Sequence, residues 1–237
     1  SLFFKYRGLP HLRHLTLQDN IAFEYLKNIY TSIVFKDVIN RYAVRNTVFL
    51  EQLVYFLASN IGNIFSAKKI SDFLKSQRTN IAPNQVQLYI QHLANAFLIH
   101  QVSRYDIDGK RIFEVGEKHY FEDIGIRNAL WGYRIQDLGK IMENVVFNQL
   151  LISGYRVTVG VLGDNEIDFI GNKNGEKIYI QVALTLYEEK NIKRAFGNLQ
   201  KIQDNYPKIV VTMESFEGNT IEGIKTMDLR SFLSHPW

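Results

Sequence analysis

The sequence predicts a mixed α/β protein, α+β overall, and three observations predict it. Apolar residues at three- and four-residue spacing fill the first quarter of the chain and return between Leu138 and Leu150, the mark of helices with one apolar face. Short β-branched runs separated by Gly and Asn follow at 155–159, 166–170 and 177–184. Between these regions lie two short helical stretches and a hairpin pattern. The composition shifts divide the 237 residues into a helical segment at 1–62, a helix-helix-hairpin segment at 63–118 and an α-β-β-β-α-β segment at 119–237. That length exceeds the roughly 100 to 200 residues of one ordinary domain.

Taken in order, the first helices run from Asp19 to about Ile61. Ile21, Phe23, Leu26 and Ile29 give way to Val34, Phe35, Val38 and Ile39, and Leu50, Leu53, Val54 and Leu57 form a later stripe. Asp37 and Arg41, four apart, read as an intrahelical ion pair. Ser66 is placed to cap a helix through Leu74, and Pro83 to open a second one at its first turn. Phe97 to Tyr105 and Arg111 to Val115 pair as a hairpin around Asp106-Ile107-Asp108-Gly109. This order resembles a winged helix-turn-helix. Asp123 stands where it caps a short helix from Ile126 to Leu130. After the Leu138 helix, closed by Gly154, come the three strands, a polar helix from Glu188 to Gln203, and an apolar strand from Lys208 to Met213.

The candidate chemistry lies in this last region. Glu143 falls away from most of the apolar stripe of its helix. Side chains two apart on a strand share a face, so Glu166 and Asp168 project together and Ile167 and Phe169 the other way. Gln181 and Ala183 make the matching pair on the next strand. The order α-β-β-β-α-β with these residues resembles the PD-(D/E)xK restriction-endonuclease-like fold. The resemblance implies a Mg²⁺ site on Glu143, Glu166 and Asp168, and a catalytic set of Glu143, Asp168 and Gln181. The family's third motif reads acid, any residue, lysine, whereas this chain has Gln181-Val182-Ala183. A neutral amide is a weak substitute for a carboxylate on a hard cation, and alanine supplies no chemistry. The implied nuclease site is therefore degenerate unless a cation arrives from the following helix, where Lys190, Lys193 and Arg194 lie.

Charge points to a partner. Residues 66–113 hold seven Lys and Arg against three Asp, and the rest of the chain holds 21 of each sign, so the formal +4 sits in this segment. Lys68, Lys69, Lys75, Arg78, Arg104, Lys110 and Arg111 suit phosphates. In a helix-turn-helix the second helix meets the major groove. There Asn84, Gln85, Gln87 and Gln91 suit base edges, most naturally adenine, while no Arg is available to fork onto guanine. DNA with weak sequence preference is the expected partner.

Other classes are disfavoured. The chain has no cysteine, its six histidines are scattered, and no Ser-His-Asp signature occurs, so neither a zinc site nor acyl transfer is expected. No apolar run approaches membrane-spanning length and no signal peptide is visible, which leads to the expectation of a cytoplasmic protein without a membrane partner. A chain beginning at Ser1 reads as an excised fragment.

In combination, Phe35-Lys36-Asp37-Val38, Gln87-Leu88-Tyr89-Ile90-Gln91-His92-Leu93, Tyr120-Phe121-Glu122-Asp123-Ile124-Gly125, Glu143-Asn144, Glu166-Ile167-Asp168-Phe169 and Ile180-Gln181-Val182 resemble an uncharacterised set of prokaryotic AAA+ ATPases. The resemblance implies an upstream ATP-binding domain, then a helical lid, a winged helix and a nuclease-like domain of unknown function. This chain has no G-x-x-x-x-G-K-[ST], so ATP enters only through that upstream domain. Three readings follow: an accessory region with a degenerate nuclease-like domain that contacts DNA or a protein partner, an active Mg²⁺-dependent endonuclease, and a protein-interaction scaffold without nucleic acid.

Overall fold

Helix α1 (Leu2–Tyr6) opens the chain, followed by α2 (Asp19–Ser32), a π-helical stretch (Ile33–Asn40) and α3 (Thr47–Ser59). Strand β1 (Ile64–Phe65), α4 (Ala67–Ser76), α5 (Pro83–Asn95), β2 (Ile99–Val102), β3 (Arg104–Asp106), β4 (Arg111–Ile112) and β5 (Glu117–Phe121) come next. Then come α6 (Ile124–Trp131), α7 (Leu138–Ile152), β6 (Arg156–Leu162), β7 (Asn165–Lys173) and β8 (Glu176–Ala183). Helix α8 (Glu189–Gln200), β9 (Lys208–Thr212), β10 (Thr220–Ile221), β11 (Ile224–Asp228) and α9 (Leu229–Ser234) complete the computed structural model. It describes residues 2–6, 8–15, 18–113, 116–215 and 220–237. The mixed α/β class is as the sequence predicts. Among the described residues no helix is long and apolar enough to cross a membrane.

The chain forms two compact units, one of residues 1–101 with 115–137 and the other of 102–114 with 138–237. The boundaries expected near 62 and 118 are thus replaced by breaks near 101, 114 and 137. The first unit contains 14 Lys and Arg against 9 Asp and Glu, the second 14 against 15.

In the first unit the caps read from the sequence form. Ser66 Oγ accepts from Lys69 N at 3.2 Å, and Asp123 Oδ1 from Ile126 N at 3.0 Å. Pro83 opens α5, and β1, β5 and β2 make a small sheet in that order. Asp37 and Arg41 do not pair. The helix there is π-helical, closing on Ile39 O from Val44 N. The Arg41 guanidinium lies over the Tyr42 ring instead, at 5.7 Å. Gly125 lets α1 approach α6, because a Cβ there would stand 2.0 Å from Tyr6 O.

The second unit is an eight-stranded sheet in the order β10-β11-β9-β8-β7-β6-β3-β4. The β8-to-β9 connection is a helical crossover, as parallel neighbours require, and α8 buries Ala195, Phe196 and Leu199 against Ile167, Ile170 and Tyr179. The hairpin expected over 97–115 is two structures. Its base, β2, pairs with β5 in the small sheet, while β3 and β4 form the edge of the large one, with β3 parallel to β6. The tertiary pairing with β6 decides this, because local hairpin signals carry no information about a partner some 50 residues on. Val115, where that hairpin was expected to end, lies outside the described residues.

Candidate functional site

Helix α7 is apolar on more than one side, and residues 141–148 are all buried. Glu143, Asn144 and Asn148 are buried with the rest. Asn144 Nδ2 donates to Asn148 Oδ1 at 3.2 Å, and Glu143, 6% exposed, has Lys140 Nζ at 3.5 Å one turn back.

Below it, β7 breaks its alternation. The β6 register passes from Gly160 opposite Ile167 to Thr158 opposite Ile170, so Asp168 and Phe169 together face Val159 alone, as a β-bulge. The bulge corrects the simple alternation expected from sequence. Phe169 turns to Phe147 of α7, ring centroids 5.9 Å apart, while Ile167 packs in the α8 cluster with Ile170. Gly160 makes room for it, since a Cβ there would lie 2.8 Å from Ile167 Cβ.

At the bulge Asp168 and Gln181 do structural work. Asp168 Oδ2 accepts from Val182 N at 2.7 Å, and Gln181 Oε1 accepts from Asp168 N at 3.4 Å. The two side chains thereby tie β7 to β8 where the regular ladder, last paired at Phe169 and Ile180, gives out. An aspartate only 4% exposed needs such bonds, because a buried carboxylate without them is costly. Glu166 is half-buried, and its carbonyl accepts from Asn198 Nδ2 at 3.0 Å.

Among the described residues no three His, Asp or Glu side chains are grouped so as to hold a metal ion, so Glu143, Glu166 and Asp168 are not a ready ligand set. An Asp168 oxygen and the Gln181 carbonyl already accept backbone N–H groups, and Ala183 packs against the α8 cluster. No cation arrives from α8: Lys193 pairs with Glu189 at 2.6 Å, and Lys190 and Arg194 are exposed on a helix whose inner face meets Ile167 and Ile170. The cation placed beside Glu143 is Lys140, a residue the sequence reading did not single out.

The expected nucleic-acid residues fall into two groups. Lys68, Lys69, Lys75 and Arg78 are exposed on α4 and the turn after it. On α5, Asn84, Gln85 and Gln91 are exposed and Gln87 half-buried, opposite the buried Val86, Ile90 and Leu93. Arg104, Lys110 and Arg111 belong instead to the second unit. There Arg111 pairs with Asp106 at 3.5 Å, and Arg104 is half-buried over the Phe113 ring at 4.8 Å. The basic segment seen as one module in sequence is therefore divided.

The first unit also buries polar groups that periodicity missed. Arg127 is 1% exposed; it donates from Nε to Ala58 O at 2.8 Å, from Nη2 to Asp137 at 2.6 Å and from Nη1 to Asn128 Oδ1 at 3.1 Å. Burial holds its pKa below the ordinary value, and Asp137 opposes that shift. Asn128 in turn donates to Phe4 O at 2.8 Å. His119 is buried with no hydrogen-bond partner on either ring nitrogen among the described residues, and burial lowers its pKa to about 4.

Residues 8–137 match the family described as "Domain of unknown function (DUF8612)", and the chain belongs to that family. The match ends at Asp137, where the first unit ends. An uncharacterised protein of Haemophilus influenzae is 35% identical over 227 residues, which are 96% of this chain and 56% of that protein. The uncharacterised protein MJ1544 of Methanocaldococcus jannaschii is 26% identical over 233 residues, with 93% and 51% covered. The chain thus spans about half the length of these curated relatives. Protein VC1899 of Vibrio cholerae, a solved structure, overlaps 78% of this chain and 53% of its own at 12% identity, with a TM-score of 0.28 too low to carry an argument.

Proposed function

We propose that this chain is a DNA-contacting accessory region in which a winged helix binds the duplex and a restriction-endonuclease-like unit serves as architecture without catalysis. The observation that carries the reading is the first unit's arrangement: α3, β1, α4, α5, β2 and β5 follow the winged-helix order, and α5 displays uncharged polar side chains beside the cations of α4. In that geometry α4 meets phosphates and α5 enters the major groove. The excess of positive charge in the first unit favours the same partner. The second unit's α7-β6-β7-β8-α8-β9 order supports the nuclease-like fold, and the fixed roles of Asp168 and Gln181 support its lack of catalysis. Within the AAA+ ATPase family that the sequence resembles, such a region follows an ATP-binding domain. The unmatched half of the curated relatives accommodates a domain of that kind.

A salt titration of duplex binding tests this reading. Exchanging Lys68, Lys69, Lys75 and Arg78 together for Ser should weaken binding and flatten the plot of log affinity against log salt, by roughly 0.9 for each phosphate that the variant no longer neutralises. Unchanged affinity and slope would remove α4 and α5 as the DNA surface.

A further inference from the structure

Helix α5 presents one uncovered stripe. Asn84, Leu88, Gln91 and Asn95, spaced four, three and four apart, are all exposed and lie opposite the buried Val86, Ile90 and Leu93. The middle of that stripe is apolar: Leu88 is 47% exposed on a helix whose other outward residues beyond Pro83 are polar. Beside it, α4 and the turn after it carry Lys68, Lys69, Lys75 and Arg78 against a single acid, Asp72. A protein partner with an apolar groove would be served poorly by one leucine among amides. A major groove suits the set, because it offers hydrogen-bonding edges flanking an apolar thymine methyl.

Resting on the winged-helix reading, we infer that α5 selects A·T-rich duplex DNA by direct major-groove readout, with Asn84 and Gln91 on adenine edges and Leu88 against the thymine C5-methyl. The chemistry is discriminating at each position. An amide side chain both donates and accepts, matching adenine N6–H and N7, whereas guanine offers two acceptors there and is best met by the arginine that α5 lacks. A leucine finds no methyl on cytosine. Phosphate contacts from α4 add affinity without base preference, so removing them weakens all duplexes alike.

The experiment is fluorescence anisotropy of the full chain on duplexes of equal length: all A·T, all G·C, and the A·T duplex with every thymine replaced by uracil. That replacement removes only the major-groove methyl. The A·T duplex should bind about tenfold tighter than the G·C duplex, the size of one good base contact. Uracil replacement should weaken wild type severalfold and leave Leu88→Ala unchanged. Asn84→Ala with Gln91→Ala should shrink the A·T preference to the part that Leu88 supplies, the part that uracil replacement removes. All three substitutions are at exposed positions, and an unchanged melting temperature verifies the fold. Equal affinity for all three duplexes, or equal sensitivity of wild type and Leu88→Ala to uracil, overturns the inference and leaves the winged-helix reading standing. No binding to any duplex overturns both.

Discussion

The two units use polar residues in opposite ways. On the first unit's surface, the cations of α4 and the amides of α5 stand exposed, with their apolar faces turned inward. In the second, Asp168 and Gln181, the residues whose types and spacing suggest chemistry, are taken up in holding β7 to β8. The difference teaches that a carboxylate's meaning depends on what its oxygens already accept. Asp168 and Gln181 thus act as a clasp between two strands, while plain surface amides become the candidate for recognition.

The first unit is not free of internal polar structure, and its buried groups provide the largest effect. Arg127→Met should lower stability by about 3–5 kcal/mol in denaturant titration, since it strands Asp137 and the Ala58 carbonyl. A loss under about 1 kcal/mol would show that the guanidinium network is not a keystone of this unit.

His119 provides the next effect, and it depends on pH. Its folded-state pKa lies near 4, below the ordinary 6.5, so the unfolded chain binds a proton the folded one refuses. Stability is full above pH 6.5 and falls as the pH drops toward 4, by about 1.4 kcal/mol per unit over that window, reaching roughly 3 kcal/mol. Melting curves across this range should be flatter for His119→Leu than for wild type. Parallel curves would show that His119 does not govern the acid response.

In the second unit, Asp168→Ala should cost about 1–3 kcal/mol, because it leaves the Val182 N–H buried without its acceptor. A catalytic carboxylate behaves differently, and its removal commonly leaves stability unchanged or improved. Smallest of all, the fourfold α4 exchange should move stability within about 0.5 kcal/mol while changing DNA binding, which separates display from architecture.

Much of this fold is legible in the sequence. Periodicity finds α2, α3, α4, α5 and α7, and β-branched runs find β6 to β9 to within a few residues, because one buried face imposes its period on the chain. Long-range decisions are not legible. The split of the expected hairpin follows from pairing between Arg104 and Val159, and the bulge at Asp168 and Phe169 follows from the register against β6. Strands β10 and β11 and helix α9 were not anticipated either, though Asp228, which accepts from Ser231 N at 3.0 Å, leaves a capping signature in Asp228-Leu229-Arg230-Ser231. Glu143 and Asp168 were legible as candidates by type and spacing. Lys118, His119, Arg127 and Asn128 were not, since a charged or polar residue within a short helix or strand reads as solvated until its partners are known.

We propose that the second unit's carboxylates are architectural. A supercoiled-plasmid nicking assay with Mg²⁺ or Mn²⁺ tests it most directly. Wild type should leave the plasmid intact, and Asp168→Ala should give the same result. Metal-dependent nicking by wild type that disappears in Asp168→Ala would contradict the account and make Asp168 a catalytic residue.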